Sequence, residues 1–304
     1  MDSLPFPAYD VIDVEAYKRL APPGFIYKRR RYASLMTSRG CPFGCAYCHN
    51  VHGRSYRYRS AENVVAEIKQ LNDAYGVEEF VILDDLFNLI PERVVRFAEL
   101  ILEAGLDISL NLPTGLRADL MTEEGLRLLR KAGMFRCLFA VDTTSERIQK
   151  MTGRRGDIQR TLRMIELADE LGILVHGTFI IGFPTETEAE ARQTIQTALQ
   201  SPLHTAAFHR AVPFYGTRLY QIARNAGADL SAAEEDFDVN RDSCAVNASE
   251  MSNEVLIHLR KEAYWKFYLS RRRLWRLFSL LPNKRYLVPQ LGLYWLRKIL
   301  GLKR

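Results

Sequence analysis

The sequence predicts an α/β protein, a partial (β/α)6 barrel of the TIM type with a helical C-terminal extension. Six short apolar runs alternate with amphipathic helical patterns, and the links between them are short. Such repeats imply a parallel sheet with right-handed crossovers, and six of them curl most naturally into an incomplete barrel. We assign residues 1–30 to a linker-like segment, 31–220 to the barrel and 221–304 to a basic, aromatic helical extension.

The predicted strands include several continuous apolar runs, which are typical of strands buried on both faces. They are Tyr32–Thr37, Glu79–Leu83, Ile108–Leu112, Phe135–Val141, Leu174–Ile181 and Ala206–Val212. Amphipathic helices are predicted at Ala61–Tyr75, Pro91–Ala104, Thr122–Ala132, Thr144–Met151, Ile158–Leu171 and Glu186–Gln200. Chemistry in such a sheet gathers at the C-terminal ends of the strands, so the residues that follow each strand are the candidates.

Composition and cysteine spacing limit the classes of protein to which this chain can belong. Of the 304 residues, 47% are hydrophobic and 26% are charged, as in a globular protein. The five cysteines are an odd number and three lie within eight residues, unlike the paired cysteines of a secreted disulfide framework. The N-terminus has no apolar core of signal-peptide length, and no apolar run approaches the ~18 residues that span a bilayer. We therefore expect a cytoplasmic protein.

Positive charge is concentrated at the C-terminal end. Residues 260–304 hold thirteen Lys and Arg, one acid and all three tryptophans, whereas residues 1–259 hold 29 basic and 35 acidic residues. Basic residues with interfacial aromatics suit a helix on an anionic membrane surface, here the inner face of the membrane. Helices that close the open barrel and leave their basic faces in solvent are the second interpretation. Nucleic acid is the third, and it is the least favoured.

Three cysteines follow the first strand with the spacing CxxxCxxC: Cys41, Cys45 and Cys48. Three thiolates on one loop can face one metal centre, and a cubane iron–sulfur cluster held by three thiolates keeps one iron open for another ligand. A zinc site with His49 or His52 as the fourth ligand is the alternative. Zinc ligands usually fall into two separated pairs, and no second cysteine pair follows here. Three unrelated loop cysteines are the remaining interpretation.

This loop, with Tyr47 before the third cysteine, resembles the signature of the radical S-adenosylmethionine (SAM) superfamily. The resemblance covers roughly residues 4–280 and implies a [4Fe–4S] cluster whose open iron binds SAM. It also implies a 5′-deoxyadenosyl radical that takes hydrogen from the substrate, and an electron donor of the flavodoxin or ferredoxin type. The position of the loop after the first of six β-α units supports the resemblance, because the family uses this position.

The resemblance extends to residues beyond the second and third strands. Asp84 stands where the family receives the methionyl amine and is the expected ligand, whereas Asp85 is the expected structural residue. Asn111 and Arg117 lie at or beyond the end of the third strand, where the arginine could contact a carboxylate. A helix N-cap and a surface arginine are the structural alternatives.

Similar segments follow the fourth and fifth strands. Asp142 takes the position of the acid that holds the ribose hydroxyls, one methylene shorter than the usual glutamate, and Arg154 or Arg155 matches the basic residue that follows. Ile180 and Gly182 match the GxIxGxx segment that contacts adenine, the glycine permitting close backbone approach. An ordinary glycine at a strand-to-turn junction is the alternative.

The segment VPFYGTRLY is similar to one in the cobalamin-type branch of the superfamily, but no DxHxxG cobalamin segment occurs. The chain begins at what resembles the linker after a cobalamin domain. We expect an enzyme that works without cobalamin, with cobalamin supplied by a separate protein as the alternative.

The expected substrate is a small apolar molecule, lipid-like or a natural product, that reacts by carbon–carbon bond formation, rearrangement or dehydrogenation. A methyltransferase with borrowed cobalamin and a non-catalytic metal-binding module are the alternative functions. Cys244 could donate a hydrogen atom to a substrate radical, whereas Cys137 is expected in the core. His176 and His209 could reach the cavity, although satisfied buried histidines are the favoured interpretation.

Overall fold

The structure is a computed structural model, and it describes residues 1–13, 16, 26–230, 246–285 and 288–289. The strands in these ranges are β1 (Tyr32–Leu35), β2 (Ser38–Arg39), β3 (Arg57–Tyr58), β4 (Glu79–Ile82), β5 (Ser109–Leu112), β6 (Met134–Asp142), β7 (Leu174–Ile181) and β8 (Thr205–Arg210). The α-helices are α1 (Ala61–Tyr75), α2 (Pro91–Glu103), α3 (Glu123–Lys131), α4 (Glu146–Thr152), α5 (Ile158–Glu170), α6 (Glu188–Gln200), α7 (Arg218–Asn225), α8 (Asn253–Tyr268) and α9 (Arg271–Leu280).

Six strands form one parallel sheet in the order β1-β4-β5-β6-β7-β8, so each pairs with the next one along the chain. Helices α1 to α6 fill the crossovers between them. This arrangement confirms the predicted partial (β/α)6 barrel with helices after it. The short strands β2 and β3 pair separately and antiparallel, and their ladder closes the loop that carries three of the cysteines.

Local sequence signals set the starts of the crossover helices. The Ser60 Oγ accepts a hydrogen bond from the Asn63 N–H at 3.1 Å at the start of α1, and Pro91 occupies the first turn of α2. Thr187 and Glu190 form a reciprocal capping box at the start of α6. These caps fix which residues remain in the loops above the strands.

The two faces of the sheet are buried to different extents. On the outer face, Phe179 and Phe208 stack with ring centroids 5.5 Å apart inside the main core. On the inner face of β6, β7 and β8 the side chains are half-buried; they are Leu138, Ala140, His176, Thr178, Ile180, Thr205 and Ala207. The prediction of burial on both faces holds for β4 and β5, whereas β7 and β8 alternate because a partial barrel has an open lumen.

Helix α8 covers β8, the last strand of the sheet. The Tyr264 hydroxyl accepts a hydrogen bond from the Phe208 N–H at 3.1 Å, and the Tyr268 hydroxyl bonds both backbone groups of Ala206, at 3.1 and 2.8 Å. Arg260 Nε donates to the Phe208 carbonyl at 2.9 Å. Side chains therefore satisfy the unpaired backbone of an edge strand. This packing supports the interpretation in which the tail closes the barrel.

Helix α9 continues this cover. Arg273 donates to the carbonyls of Leu199 and Ser201 at 3.0 and 3.2 Å, and Arg276 Nε donates to Asp169 Oδ1 at 2.7 Å. These two basic residues of the tail are thus structural. None of the helices in the described ranges has the length and apolar character that crossing a membrane requires.

Candidate active site

The cysteine loop is fixed on two sides by the barrel. The Ala46 N–H donates to the Thr152 carbonyl at 2.7 Å and the Leu219 N–H donates to the Ala46 carbonyl at 2.9 Å, which ties the loop to α4 and α7. Gly40 has a φ of +84°, and a Cβ there would lie 2.3 Å from the Ser55 carbonyl oxygen. The turn into the loop therefore requires glycine.

The thiols of Cys41, Cys45 and Cys48 affect one another's ionisation. The Cys48 thiol donates a hydrogen bond to the Cys45 sulfur, which lowers the pKa of Cys45 to about 6 and raises that of Cys48. Arg154 and Arg117 also favour the Cys45 thiolate. Burial raises the pKa of Cys41. The loop thus brings three thiols together and stabilises a thiolate, the form that binds metal.

A single-ion site is less well supported. Within the described ranges, no three His, Cys, Asp or Glu side chains are spaced to hold one metal ion. His52 Nδ1 pairs with Asp85 Oδ2 at 2.8 Å, and the His49 ring packs on Phe214 with centroids 5.1 Å apart. A cubane attaches each thiolate to a different iron, so its ligands are spaced more widely. The residues present fit a cluster better than zinc.

A buried carboxylate lies at the same end of the sheet. Asp142 ends β6 with a φ of 65°, a left-handed conformation uncommon outside glycine. Its Oδ2 accepts hydrogen bonds from the Tyr47 hydroxyl and from Arg154 Nε, each at 2.7 Å. Burial and the Asp142 charge raise the pKa of Tyr47. Both contacts use Oδ2, so Oδ1 is left for another donor. Arg155, the alternative basic residue, is exposed.

Asp84 and Asp85 follow β4 in different surroundings. Asp84 is 2% exposed and accepts hydrogen bonds from the Thr37 N–H at 2.6 Å, the Thr37 hydroxyl at 2.5 Å and the Ser38 hydroxyl at 2.7 Å. Burial raises the pKa of Asp84. Asp85 is exposed, and its Oδ2 accepts from the Gly40 N–H at 2.8 Å. These contacts favour the reverse of the expected roles: Asp84 orders the loop, and Asp85 is the more accessible to a ligand.

Arg117 lies against the cysteine loop. Its guanidinium carbon is 4.1 Å from the centroid of the Phe43 ring, and its Nε donates to Asp119 Oδ1 at 3.0 Å. Its Nη2 also donates to Asp119. Nη1 is buried and has no hydrogen-bond partner among the described residues. An unpaired buried donor costs free energy, so Nη1 is a candidate donor to a bound carboxylate.

A family model described as the Radical SAM superfamily matches residues 35–198, more than half of the 304 residues. The chain belongs to the radical SAM superfamily. The predicted cofactors, a [4Fe–4S] cluster and SAM, are accordingly the cofactors of this enzyme.

Two curated proteins illustrate what this radical SAM chain is similar to. It is 30% identical over 273 residues to the uncharacterized methyltransferase PH0819 of Pyrococcus horikoshii, which covers 88% of this chain and 56% of that protein. It is 31% identical over 229 residues to the cytidylyl-2-hydroxyethylphosphonate methyltransferase of Streptomyces wedmorensis. This match covers 72% of this chain and 42% of that protein. The chain thus spans about half the length of the curated relatives it matches.

A solved structure with a similar fold is the radical SAM methyltransferase TsrM from Kitasatospora setae, determined with cobalamin and a [4Fe–4S] cluster bound. Its TM-score with this chain is 0.55 at 22% identity, over 66% of this chain and 38% of TsrM. At this identity the likeness shows the fold.

Two further residues of the radical SAM pattern, Ile180 and Gly182, lie at and just beyond the end of β7. Gly182 has a φ of +82°, and a Cβ there would lie 2.8 Å from Leu256. The N–H groups of Gly182 and Phe183 both donate to Glu186 Oε2, the second at 3.1 Å. Burial raises the pKa of Glu186 to about 7. Glu186 therefore holds the backbone of the Gly182 turn in place, a contact that the sequence argument missed.

Asn111 is not at the mouth of the barrel. It is fully buried, its Nδ2 donates to the Ile26 carbonyl at 3.4 Å, and its Oδ1 accepts from Arg136 Nη1 at 3.4 Å. Arg136 lies near the start of β6, at the opposite end from the cysteines. These contacts hold the Asn111 side chain toward the inner end of the lumen and give no support to the cofactor role expected of it.

The remaining candidates lie elsewhere. Cys244 is outside the described residues, and Cys137 is buried in the main core as expected. His176 Nδ1 pairs with the Thr205 hydroxyl at 2.8 Å, and burial lowers the pKa of His176 to about 4, as the interpretation of a satisfied histidine expects. His209 is exposed on β8.

Proposed function

We propose that Cys41, Cys45 and Cys48 bind the [4Fe–4S] cluster and that SAM lies over the C-terminal ends of the strands. The convergence of three thiols beside the buried Asp142 carboxylate carries this proposal. When bound, the cluster supplies the electron that cleaves the sulfonium to a 5′-deoxyadenosyl radical. Cys48 is exposed, which leaves this edge of the site open to a flavodoxin- or ferredoxin-type donor.

Side chains around the loop fit the polar groups of SAM. Asp142 Oδ1 would accept from the ribose hydroxyls, while Tyr47 and Arg154 hold the carboxylate in place through Oδ2. Arg117 Nη1 would donate to the methionyl carboxylate, and Asp85 would face the ammonium. Among the described residues, Arg117 Nη1 has no hydrogen-bond partner, and the contacts given for Asp142 and Asp85 use only their Oδ2 atoms.

The lumen suits an apolar substrate body. The half-buried inner face of β6, β7 and β8 carries Leu138, Ala140, Ile180 and Ala207. A substrate lying against these side chains would present a carbon to the SAM site and lose a hydrogen atom there. Carbon–carbon bond formation, rearrangement or dehydrogenation would follow.

Methyl transfer with cobalamin supplied by a partner is the second candidate. The specific observation in its favour is the 30% and 31% identity to two proteins named as methyltransferases. Both candidates use the same cluster site and differ in the fate of the SAM methyl group.

The products of SAM separate the two candidates. The chain, reconstituted anaerobically with iron and sulfide, is incubated with dithionite and SAM deuterated in its methyl group, with and without added cobalamin. We expect 5′-deoxyadenosine and methionine that retains the label. S-adenosylhomocysteine that forms only with added cobalamin would instead establish methyl transfer, and formation of neither nucleoside product would refute both.

We also propose that α9 rests on an anionic membrane surface at the cytoplasmic face. Its exposed residues fall at helical spacing and combine a cation with apolar side chains: Arg271, Leu274, Trp275 and Phe278. Trp275 is 73% exposed. Arg272, exposed on the same helix, and Lys284, whose Nζ lies 4.8 Å from the Phe278 ring centroid, add positive charge beside this stripe, complementary to anionic lipid headgroups.

Co-sedimentation with vesicles tests the membrane surface. The wild-type chain should sediment with phosphatidylglycerol vesicles more than with phosphatidylcholine vesicles, and the double variant Leu274→Ser, Trp275→Ser should lose most of this binding. Leu102→Ser, at an exposed leucine on α2, is the matched control and should bind like wild type. Equal sedimentation with both lipids, or no loss in the double variant, would contradict the proposal.

A further inference from the structure

Arg136 differs from the other buried arginines of the described chain. Arg93, Arg117, Arg136 and Arg154 are each at most 8% exposed. The other three donate to carboxylates or to several oxygens. Among the residues that the structure describes, Arg136 makes one hydrogen bond, from Nη1 to Asn111 Oδ1 at 3.4 Å, and its buried Nε has no hydrogen-bond partner. The charge of Glu79 favours the charged form of Arg136, but no described carboxylate forms an ion pair with it within 4.0 Å.

Arg136 belongs to a polar floor at the inner end of the lumen, formed by Glu79, Ser109, Asn111 and Arg136. These residues lie side by side on β4, β5 and β6, where Glu79 pairs in register with Ser109 and Asn111 with Arg136. Glu79 Oε2 accepts hydrogen bonds from two backbone N–H groups at 2.7 and 2.8 Å, but Oε1 has no partner. The Ser109 hydroxyl is also buried without one. The floor therefore holds three unpaired buried polar atoms.

The floor is closed beneath by apolar side chains. An apolar cluster lies at the inner end of the strands; it consists of Ile26, Phe135, Leu174 and Leu281. From Arg136, the inner face of β6 continues through Leu138 and Ala140 to Asp142. At about 3.3 Å per residue, the two ends of this path are roughly 20 Å apart. A molecule reaching Arg136 from the cysteine end would lie against half-buried apolar walls.

A buried guanidinium without a counterion in direct contact is costly, and charged groups are tolerated in protein interiors when they are paired. The unused Nε–Nη2 edge of Arg136 has the two parallel N–H donors that match the two oxygens of a carboxylate. His176, on the next strand, has its Nδ1 engaged with Thr205, so Nε2 is the ring nitrogen left for a ligand. The floor is therefore built to receive an anion rather than another apolar group.

We propose that Arg136 binds the acidic group of the substrate, a carboxylate held by its Nε–Nη2 edge at the polar floor. This inference rests on the proposed function and names its substrate class: an organic acid with an apolar body. The apolar body lies along the walls of the lumen, and the carbon that reacts is at the end of the molecule remote from the acid. The carboxylate supplies a counterion in direct contact with Arg136, which Glu79, the acid of the same floor, does not supply within 4.0 Å.

Stability without any ligand gives the first test. Arg136→Met removes a buried charge that makes one long hydrogen bond, to Asn111, and that no described carboxylate contacts, so its Tm should equal or exceed that of wild type. Arg154→Met, which leaves the Asp142 carboxylate unpaired, should lower the Tm instead. A fall in Tm for Arg136→Met as large as that for Arg154→Met would show that Arg136 holds the fold, and it would overturn the proposal.

Anion binding gives the second test, with the full chain carrying its reconstituted cluster. Benzoate should raise the Tm of wild type more than the same concentration of benzamide, its neutral analogue. Arg136→Met should abolish this difference or weaken benzoate binding about tenfold or more. Arg127→Met, at an exposed arginine on α3, should keep it.

Two outcomes would overturn the anion site: no preference for benzoate in wild type, or an unchanged preference in Arg136→Met. The assay requires no turnover. Intact benzoate selectivity in a chain that forms no product from SAM would therefore refute the proposed reaction and leave the anion site standing. Formation of product from SAM without benzoate selectivity would refute the anion site and leave the proposed reaction standing.

Discussion

Cys45→Ser, like Cys41→Ser and Cys48→Ser, is expected to reduce the iron retained after reconstitution from about four atoms per chain to background. Each thiolate holds one corner of the cluster, and a serine hydroxyl is a far poorer ligand at neutral pH. Loss of an outer-shell partner already costs about 10–100-fold in metal affinity, so loss of a ligand should cost more. Iron and sulfide content, together with 5′-deoxyadenosine formation, measure the effect.

Cys137→Ala provides the matched control. Cys137 is buried on the outer face of β6, within the main core, and should not touch the cluster. Its replacement should leave iron content unchanged, and His49→Ala and His52→Ala should do the same. Equal iron loss in Cys137→Ala, or a wild-type chain that takes up zinc and neither iron nor sulfide, would contradict the assignment.

The architecture was predictable from the sequence because each of its causes is local. Continuous apolar runs mark the strands, and caps mark the helices, as Ser60 and Gly76 do at the two ends of α1. Short links between these elements leave a parallel sheet as the simplest arrangement. The open lumen was harder to predict from the sequence. Whether an apolar strand is buried on one face or two depends on how far the sheet curls, which no single strand encodes.

The cysteine loop was predictable because its three cysteines lie close together in the sequence. The roles of the acids around it depend instead on tertiary contacts. Asp84 and Asp85 are adjacent and chemically identical, and their separate roles arise from the Thr37 and Ser38 hydroxyls, about 46 residues earlier in the chain. Asn111 looked like a mouth residue because it is near the end of a strand, but its side chain points to the inner end of the lumen. Arg136 lies within the predicted strand Phe135–Val141, but its contact with Asn111 joins two strands and is visible only in the structure.

The sequence could not show which of Arg154 and Arg155 contacts Asp142, and only the structure distinguishes the two. Arg154 is buried and donates to Asp142 and to the Ala140 carbonyl, whereas Arg155 is exposed. Burial alone would lower the pKa of Arg154, but the surrounding negative groups, Asp142 foremost, together outweigh burial, and the net shift is upward. The guanidinium is therefore charged at every working pH and is the main counterion of a carboxylate whose backbone is already strained.

Arg154→Met is accordingly expected to lower the free energy of unfolding by about 3–5 kcal/mol, the cost of leaving one partner of a buried ion pair alone. It should also weaken SAM binding to the cluster-loaded chain, because Asp142 loses the contact that fixes its orientation. Urea unfolding and isothermal titration with SAM measure the two effects. Arg155→Met, at the exposed neighbour, should change stability by no more than about 0.5 kcal/mol.

The double variant Arg154→Met, Asp142→Asn separates charge from packing. If the loss comes from an unpaired buried carboxylate, the neutral amide should restore a large part of the stability while SAM affinity stays low, because the acceptor for the ribose is gone. Tyr47 can still donate to the amide oxygen, so the local fold is kept. A double variant no more stable than Arg154→Met would show that packing of the arginine stem dominates, and Asp142 would then lose its place as the charged centre of the SAM site.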